Sequence, residues 1–250
     1  MIKESFIDYP EKISTVLFAS GCNYKCPACH AKHIIYGDSK HSEEEIFKYL
    51  DSRKGWIDGV VICGGEPTLQ PDLINLLREL RSRRPEIYIK LDTNGSNPAL
   101  IDELLKEKLV DYIAMDIKGP PSLYKKIIGL QGDTFNLREN VEKGMGIVQK
   151  APDYEFRTTL APIKREKGVS WMTKQEAEEM AEWAYKHAWS DKTKWYIQKF
   201  VARSKEEMLD EIMSKDNLPE NMHETPHEIM EIIRNEVRKY FPKANIREEQ

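Results

Sequence analysis

Gly59-Val60-Val61-Ile62-Cys63-Gly64-Gly65-Glu66-Pro67 is a short apolar run, rich in β-branched residues, that stops at two glycines. It reads as a buried strand followed by a backbone shape that other residues avoid. Similar runs occur at Ile13–Ser20, Ile87–Asp92, Val110–Asp116, Tyr154–Leu160 and Lys194–Lys199. Helical patterns separate them at 42–54, 70–83, 98–107, 121–128, 135–149 and 174–188. Strand and helix in alternation predict an α/β fold built on a mostly parallel sheet. Ser42 with Glu45 and Thr173 with Glu176 fit the S/T-x-x-E capping box, which marks two of the helix starts.

The balance of residues bounds the class of protein. The chain has 250 residues, 32% charged and 40% hydrophobic, with 38 Lys+Arg against 42 Asp+Glu. That length buries a sizeable core without disulfides, and the four cysteines do not suggest a secreted scaffold. Neither a signal-peptide pattern nor an apolar run of about 18 residues is present, so the expected location is the cytoplasm, away from the membrane. A net charge of −4 argues against a broad nucleic-acid surface. The last fifty residues hold 8 Lys+Arg and 12 Asp+Glu, which accounts for the whole net charge. We therefore divide the chain into a main body, 1–203, and an acidic helical extension, 204–250. Thr225-Pro226-His227-Glu228 reads as a capped helix start, with Ile229, Ile233, Val237 and Tyr240 on one face. Loss of this extension is expected to affect solubility or partner binding more than the cysteine site.

Cys22-Asn23-Tyr24-Lys25-Cys26-Pro27-Ala28-Cys29 places three thiols in eight residues, directly after the first of the six predicted strands. A [4Fe-4S] cluster takes thiolates on separate irons, and three of them leave the fourth iron open to a reacting ligand. Zinc is the rival, with Cys22, Cys26, Cys29 and either His30 or His33 as a closed tetrahedral set. Cys63 reads as a small core residue. Asp92-Thr93-Asn94-Gly95, Met115-Asp116-Ile117-Lys118 and Arg157-Thr158-Thr159 put charged groups at or near the ends of three further strands. In a parallel βα barrel the reactive face lies at the carboxyl ends of the strands, so their shared position points to one site.

The spacing Cys-x3-Cys-x2-Cys followed by Gly-Gly-Glu-Pro resembles the radical S-adenosylmethionine (SAM) enzymes, over most of residues 6–200. Ile7-Asp8-Tyr9-Pro10-Glu11-Lys12, Asp92-Thr93-Asn94-Gly95 and Met115-Asp116-Ile117-Lys118 further resemble the activating enzymes of glycyl radical enzymes. Within these the likeness is to activators of anaerobic ribonucleoside-triphosphate reductases, with pyruvate formate-lyase activators as near relatives. The resemblance implies a partial (β/α)6 TIM-like barrel with a C-terminal helical extension. It also implies that Cys22, Cys26 and Cys29 ligate a [4Fe-4S] cluster whose open iron binds SAM. Gly64, Gly65 and Glu66 would meet the methionine amino group, and Asp116 and Lys118 the ribose or carboxylate region. Arg157 would meet the carboxylate, and Asp92, Thr93, Met115 and Asp116 would line a monovalent cation site.

Reductive cleavage of SAM would then release a 5′-deoxyadenosyl radical that takes a hydrogen atom from a glycine of the partner. The implied partners are a glycyl radical enzyme, an anaerobic ribonucleotide reductase first among them, and a flavodoxin- or ferredoxin-type electron donor. Three departures stand out: Ala28 where many members have an aromatic residue, Glu11 where glycine is usual, and no histidine in Trp195–Phe200. With Cys63 the only cysteine left over, a second cysteine-ligated cluster is not expected. Two other readings compete. One is a radical SAM enzyme acting on a small molecule, in the manner of 7-carboxy-7-deazaguanine synthases, and the other is a zinc-stabilised interaction module.

Overall fold

The computed structural model describes residues 1–38, 40–130 and 135–247; residues 248–250 of the extension lie outside them. The strands are β1 (Ile2–Ser5), β2 (Ser14–Ala19), β3 (Gly59–Gly64), β4 (Tyr88–Thr93), β5 (Tyr112–Asp116) and β6 (Asp153–Leu160). They continue as β7 (Ile163–Lys164), β8 (Val169–Ser170), β9 (Lys194–Lys199) and β10 (Ala244–Arg247). The helices are α1 (Lys32–Ile35), α2 (Glu43–Ser52), α3 (Leu73–Arg83) and α4 (Pro98–Lys106). After these come α5 (Tyr124–Ile127), α6 (Phe135–Val148), α7 (Lys174–Ala188) and α8 (His227–Arg238).

Eight strands form one sheet in the order β1-β2-β3-β4-β5-β6-β9-β10. Only β1 runs antiparallel to its neighbour; every other pairing is parallel. The six expected strands are therefore β2 to β6 and β9. The outward residues Val60, Ile62, Ile89, Leu91, Ile113, Phe156, Trp195 and Ile197 pack under the helices in one continuous core. Both expected capping boxes form, Ser42 with Glu45 and Thr173 with Glu176, each contributing about 1 kcal/mol.

The two edges of the sheet come together. Phe6–Glu11, which follow β1, and Asn245–Arg247 of β10 line one cavity of about 710 Å³ that reaches Lys90, Glu155 and Tyr196. The sheet is thus curled into a barrel left open along one side. Tyr9 fills its floor against Val16, Val61, Tyr112 and Ala114.

Four details differ from the sequence reading. β1 and β10 carried no recognisable signal, because four residues are too few to show a period and each strand exists only by pairing with an edge already made. The 121–128 helix shrinks to α5. The extension contributes a strand to the main sheet as well as a helix. Thr225 does not cap α8; its hydroxyl donates to the Leu160 carbonyl at 2.7 Å and accepts from the Phe200 amide at 2.8 Å, joining β6 to the end of β9. Among the described residues no helix is long and apolar enough to cross a membrane.

Candidate functional site

The cysteine loop starts where β2 ends, and the Gly-Gly pair holds its base. Gly64 has φ 118°, and a Cβ there would lie 2.4 Å from the Ala19 carbonyl oxygen. On Gly65 it would lie 1.8 Å from the Gly21 oxygen. No side chain fits at either position. The Gly65 amide donates to Ala19 O and the Glu66 amide to Gly21 O, both at 2.9 Å. These two amides tie β3 to the cysteine loop.

The three thiols are free and partly exposed. Cys22 Sγ accepts the Tyr24 amide and Cys29 Sγ the Ala31 amide, each at 3.4 Å. Burial pushes the Cys26 thiol up to about 12 and that of Cys22 in the same direction, while Lys118 opposes burial at both. Thiols so placed stay protonated unless a metal takes the proton's place. Amide donors aimed at two of the sulfurs and a lysine beside them suit anionic ligands, so these residues fit a cluster. His30 and His33 are exposed. Among the described residues no three Cys, His, Asp or Glu side chains are grouped to hold a single ion.

One residue and one segment that the sequence reading passed over support this loop. Asn23 donates to Ser96 Oγ at 2.8 Å and accepts from Asn94 Nδ2 at 2.9 Å, binding the loop to the turn after β4. Its position between two ligand candidates was the only available signal. The backbone of the C-terminal extension lies over the other end of the loop. Leu209 N donates to Cys29 O at 2.7 Å, Asp210 N to Pro27 O at 3.3 Å, and Lys32 N to Glu207 O at 3.4 Å. An ion pair between Lys164 and Asp210 fastens this roof. Met208 and Met213, both buried, belong to a cluster against which Ala28 packs. Its removal is accordingly expected to disturb the cysteine site, contrary to the reading from sequence.

Glu66 is 1% exposed and its carboxylate accepts four donors. They are Thr68 Oγ1 at 2.5 Å, Thr68 N at 3.2 Å, Thr93 Oγ1 at 2.7 Å and Asn94 N at 2.7 Å. Burial raises this carboxyl above its ordinary value despite those bonds. The residue therefore joins the loops after β3 and β4.

Across β4, β5 and β6 the expected acids and bases form one ladder. Lys90 Nζ meets Asp92 Oδ1 at 2.6 Å, and Arg157 Nη1 meets Asp92 Oδ2 at 2.8 Å. Arg157 Nε meets Asp116 Oδ1 at 3.0 Å, and Lys118 Nζ meets Asp116 Oδ2 at 2.7 Å. Sheet register causes this, since Asp116 and Arg157 are direct parallel partners and Asp92 sits one strand away. Three cations face two anions. Burial works against ionisation of Asp116, but Arg157 and Lys118 outweigh it and hold the carboxyl down to about 2. Asp92 is lowered in the same way by Arg157 and Lys90. Lys118 is raised despite its burial, chiefly by Asp116. It also lines one pocket with Pro27 and Ala28, so ladder and cysteine loop share one site.

The other expected residues divide. In the Trp195–Phe200 stretch Gln198 accepts from Thr159 at 3.4 Å and Phe200 is buried, while Cys63, the cysteine expected in the core, stays in the barrel interior, where burial pushes its thiol up. The side chains of Thr93 and Met115 do not join Asp92 and Asp116: Thr93 bonds Glu66, and Met115 packs in the outer core beneath Gly95.

Comparison with known proteins agrees with this arrangement. The model of the Radical SAM superfamily matches residues 16–151, more than half of the chain. A protein of Methanocaldococcus jannaschii named "Putative glycyl-radical enzyme activating enzyme" is 39% identical over 161 residues, 63% of this chain and 65% of that one. The pyruvate formate-lyase-activating enzyme of Clostridium pasteurianum is 34% identical over 42% of this chain and 46% of its own. The 7-carboxy-7-deazaguanine synthase of Clostridium acetobutylicum is 28% identical over 53% of this chain and 59% of its own. The chain thus spans less than two thirds of each relative. Streptococcus suis SuiB bound to S-adenosylmethionine shares the fold, with a TM-score of 0.64 at 14% identity, covering 95% of this chain and 50% of that one. With the cysteine loop, the Gly-Gly turn and the partial barrel all in place, the chain belongs to the radical SAM superfamily.

Proposed function

We propose that this chain is an activating enzyme that installs a glycyl radical on a partner protein. Cys22, Cys26 and Cys29 would hold a [4Fe-4S] cluster, with SAM between it and the ladder. When bound, the cluster supplies one electron to the sulfonium of SAM, giving methionine and a 5′-deoxyadenosyl radical that takes a hydrogen atom from a glycine. The chain's own residues bind and orient. Gly64 and Gly65 present main chain to the methionine amino group, and Glu66 acts by locking the two loops that carry it. Asp116 and Lys118 face the ribose side, and Arg157 in a ladder with one excess positive charge suits the methionine carboxylate. A monovalent cation drawing on Asp92, Thr93, Met115 and Asp116 would compete with the basic partners of the two carboxylates.

The observation that carries this reading is the convergence of cysteine loop, Glu66 and ladder at the carboxyl ends of adjacent parallel strands. An anaerobic ribonucleotide reductase is the partner we favour. The likeness to a deazaguanine synthase keeps small-molecule chemistry as the second reading. The test is anaerobic: reconstitute with iron and sulfide, reduce, add SAM and quantify 5′-deoxyadenosine. Candidate partners are then added and a glycyl radical sought by electron paramagnetic resonance. A correctly assembled cluster that gives no cleavage with any partner or reductant would overturn the proposal. Cleavage coupled only to a small substrate would select the second reading.

A further inference from the structure

Two buried phenols lie at the cysteine loop with nothing to bond. Tyr24, between Cys22 and Cys26, is 1% exposed, and Tyr124, the first residue of α5, is 5% exposed. Neither hydroxyl has a hydrogen-bond partner among the described residues. Tyr112 and Tyr154 are buried too, yet each is satisfied, by Glu155 at 2.6 Å and by Thr193 at 2.8 Å. Phenylalanine would fill the space of Tyr24 or Tyr124 without the penalty of a buried hydroxyl, so the two oxygens call for a cause.

Main-chain contacts hold these residues together. The Lys25 amide donates to Ile128 O at 2.8 Å and the Ile128 amide to Tyr124 O at 2.9 Å. A Cβ on Gly129 would lie 1.9 Å from Lys25 O, so the end of α5 rests directly on the loop. Tyr24, Tyr124 and Ile128 belong to the core against which Cys22 and Cys26 pack. The Tyr124 ring is fixed edge-on against Trp183, with centres 5.4 Å apart.

Donors and acceptors in this corner do not match. Each phenol is within electrostatic reach of the other, and the Tyr124 oxygen lies beside the Lys118 amide. If Tyr24 and that amide both donate to Tyr124, its lone pairs are used and its own proton still lacks an acceptor. Burial keeps both phenols protonated, and so donors. Among the sulfurs, Cys22 and Cys29 each accept a main-chain amide, whereas among the described residues the Cys26 sulfur accepts none. The Asp116 carboxylate, the other anion near Tyr124, has both oxygens taken by Arg157 and Lys118.

We infer that the Tyr124 hydroxyl, backed by Tyr24, donates a hydrogen bond to the Cys26 sulfur once that sulfur ligates the cluster, and that this bond makes the cluster easier to reduce. This rests on the cluster reading above. A reduced cluster carries one more negative charge than an oxidised one, so a donor at its sulfur favours the reduced state. No proton or electron leaves the phenol.

The test is a redox titration of the reconstituted protein, without SAM or partner, followed by the electron paramagnetic resonance signal of the reduced cluster. Tyr124→Phe should lower the one-electron reduction constant about tenfold, a fall of about 59 mV, at natural iron and sulfide content. Tyr24→Phe should shift it the same way by less, and the double variant no further than Tyr124→Phe. Electron-nuclear double resonance after deuterium exchange should show one exchangeable proton coupling lost in Tyr124→Phe. Where Tyr124→Phe holds no cluster, Tyr124→fluorotyrosine, a stronger donor of nearly the same shape, should raise the potential instead. A potential that none of these substitutions moves overturns the inference alone, and the phenols are then satisfied by each other or by water. A natural protein that assembles no [4Fe-4S] cluster overturns the cluster reading, and the inference falls with it.

Discussion

Two buried polar networks lie in the same barrel, one above the other on the same strands, and they are built to opposite ends. The lower one centres on Glu155, which is fully buried. Tyr112 donates to it at 2.6 Å, and Arg247 of β10 meets it with two bonds of 2.8 and 2.6 Å while lying over the Tyr196 ring at 3.9 Å. One anion faces one cation with a phenol to spare, so this network is closed. The upper ladder has three cations for two anions and so keeps an excess positive charge. A balanced network holds the barrel edge in place, whereas an unbalanced one has capacity left for a charged ligand.

The largest effect should come from the loop above the ladder. Cys26→Ala is expected to abolish cluster binding and SAM cleavage, read as iron and sulfide content and 5′-deoxyadenosine; retained cleavage would remove the cluster assignment. Next comes the closed network. Glu155→Gln leaves the Arg247 guanidinium without its counter-charge and should cost about 3–5 kcal/mol in denaturant unfolding. A cost as small as that of a surface substitution would show that the lower network is not closed.

Asp116→Ala should act on the ligand, weakening SAM by about tenfold, or about 1.4 kcal/mol, with iron content near normal. Unchanged affinity would move the binding site off the ladder. The same aspartate sets an acid limb. Its folded carboxyl lies at about 2, below its ordinary 3.8, so its stabilisation is complete above the ordinary value and lost as pH falls towards 2. Asp116→Asn should flatten unfolding stability against pH across that window, and an unchanged slope would assign the limb to other carboxylates. The smallest effect belongs to Glu11 at the side opening, which has φ 60°. That left-handed backbone favours glycine over a residue with a side chain. Glu11→Gly should raise stability by about 0.5 kcal/mol and leave SAM affinity alone; a loss of stability would show that the glutamate side chain contributes more than the strain costs.

How much was legible in the sequence depends on the range over which each signal acts. The six central strands and two capping boxes could be read because period and cap are local. Cysteine spacing marked the loop, and strand-end position marked Asp92, Asp116, Lys118 and Arg157 before their partners were known. The partners of the Glu66 carboxylate could not be read, since two of its four donors lie at the end of another strand and nothing in Gly-Gly-Glu-Pro announces them. β10 was silent for the same reason.

The amino-acid sequence by itself determined which groups stand at the ends of the strands, and so the class of chemistry the chain can perform. Tertiary structure alone decided what those groups touch. Pairing of β10 with β9, beside β6, brings Arg247 onto Glu155, ninety-two residues away in the chain, and the extension lays residues 207–210 over the cysteine loop. Buried charges and main-chain amides must find partners wherever the closed fold supplies them, and that choice is made by packing in space, which a local sequence pattern does not record.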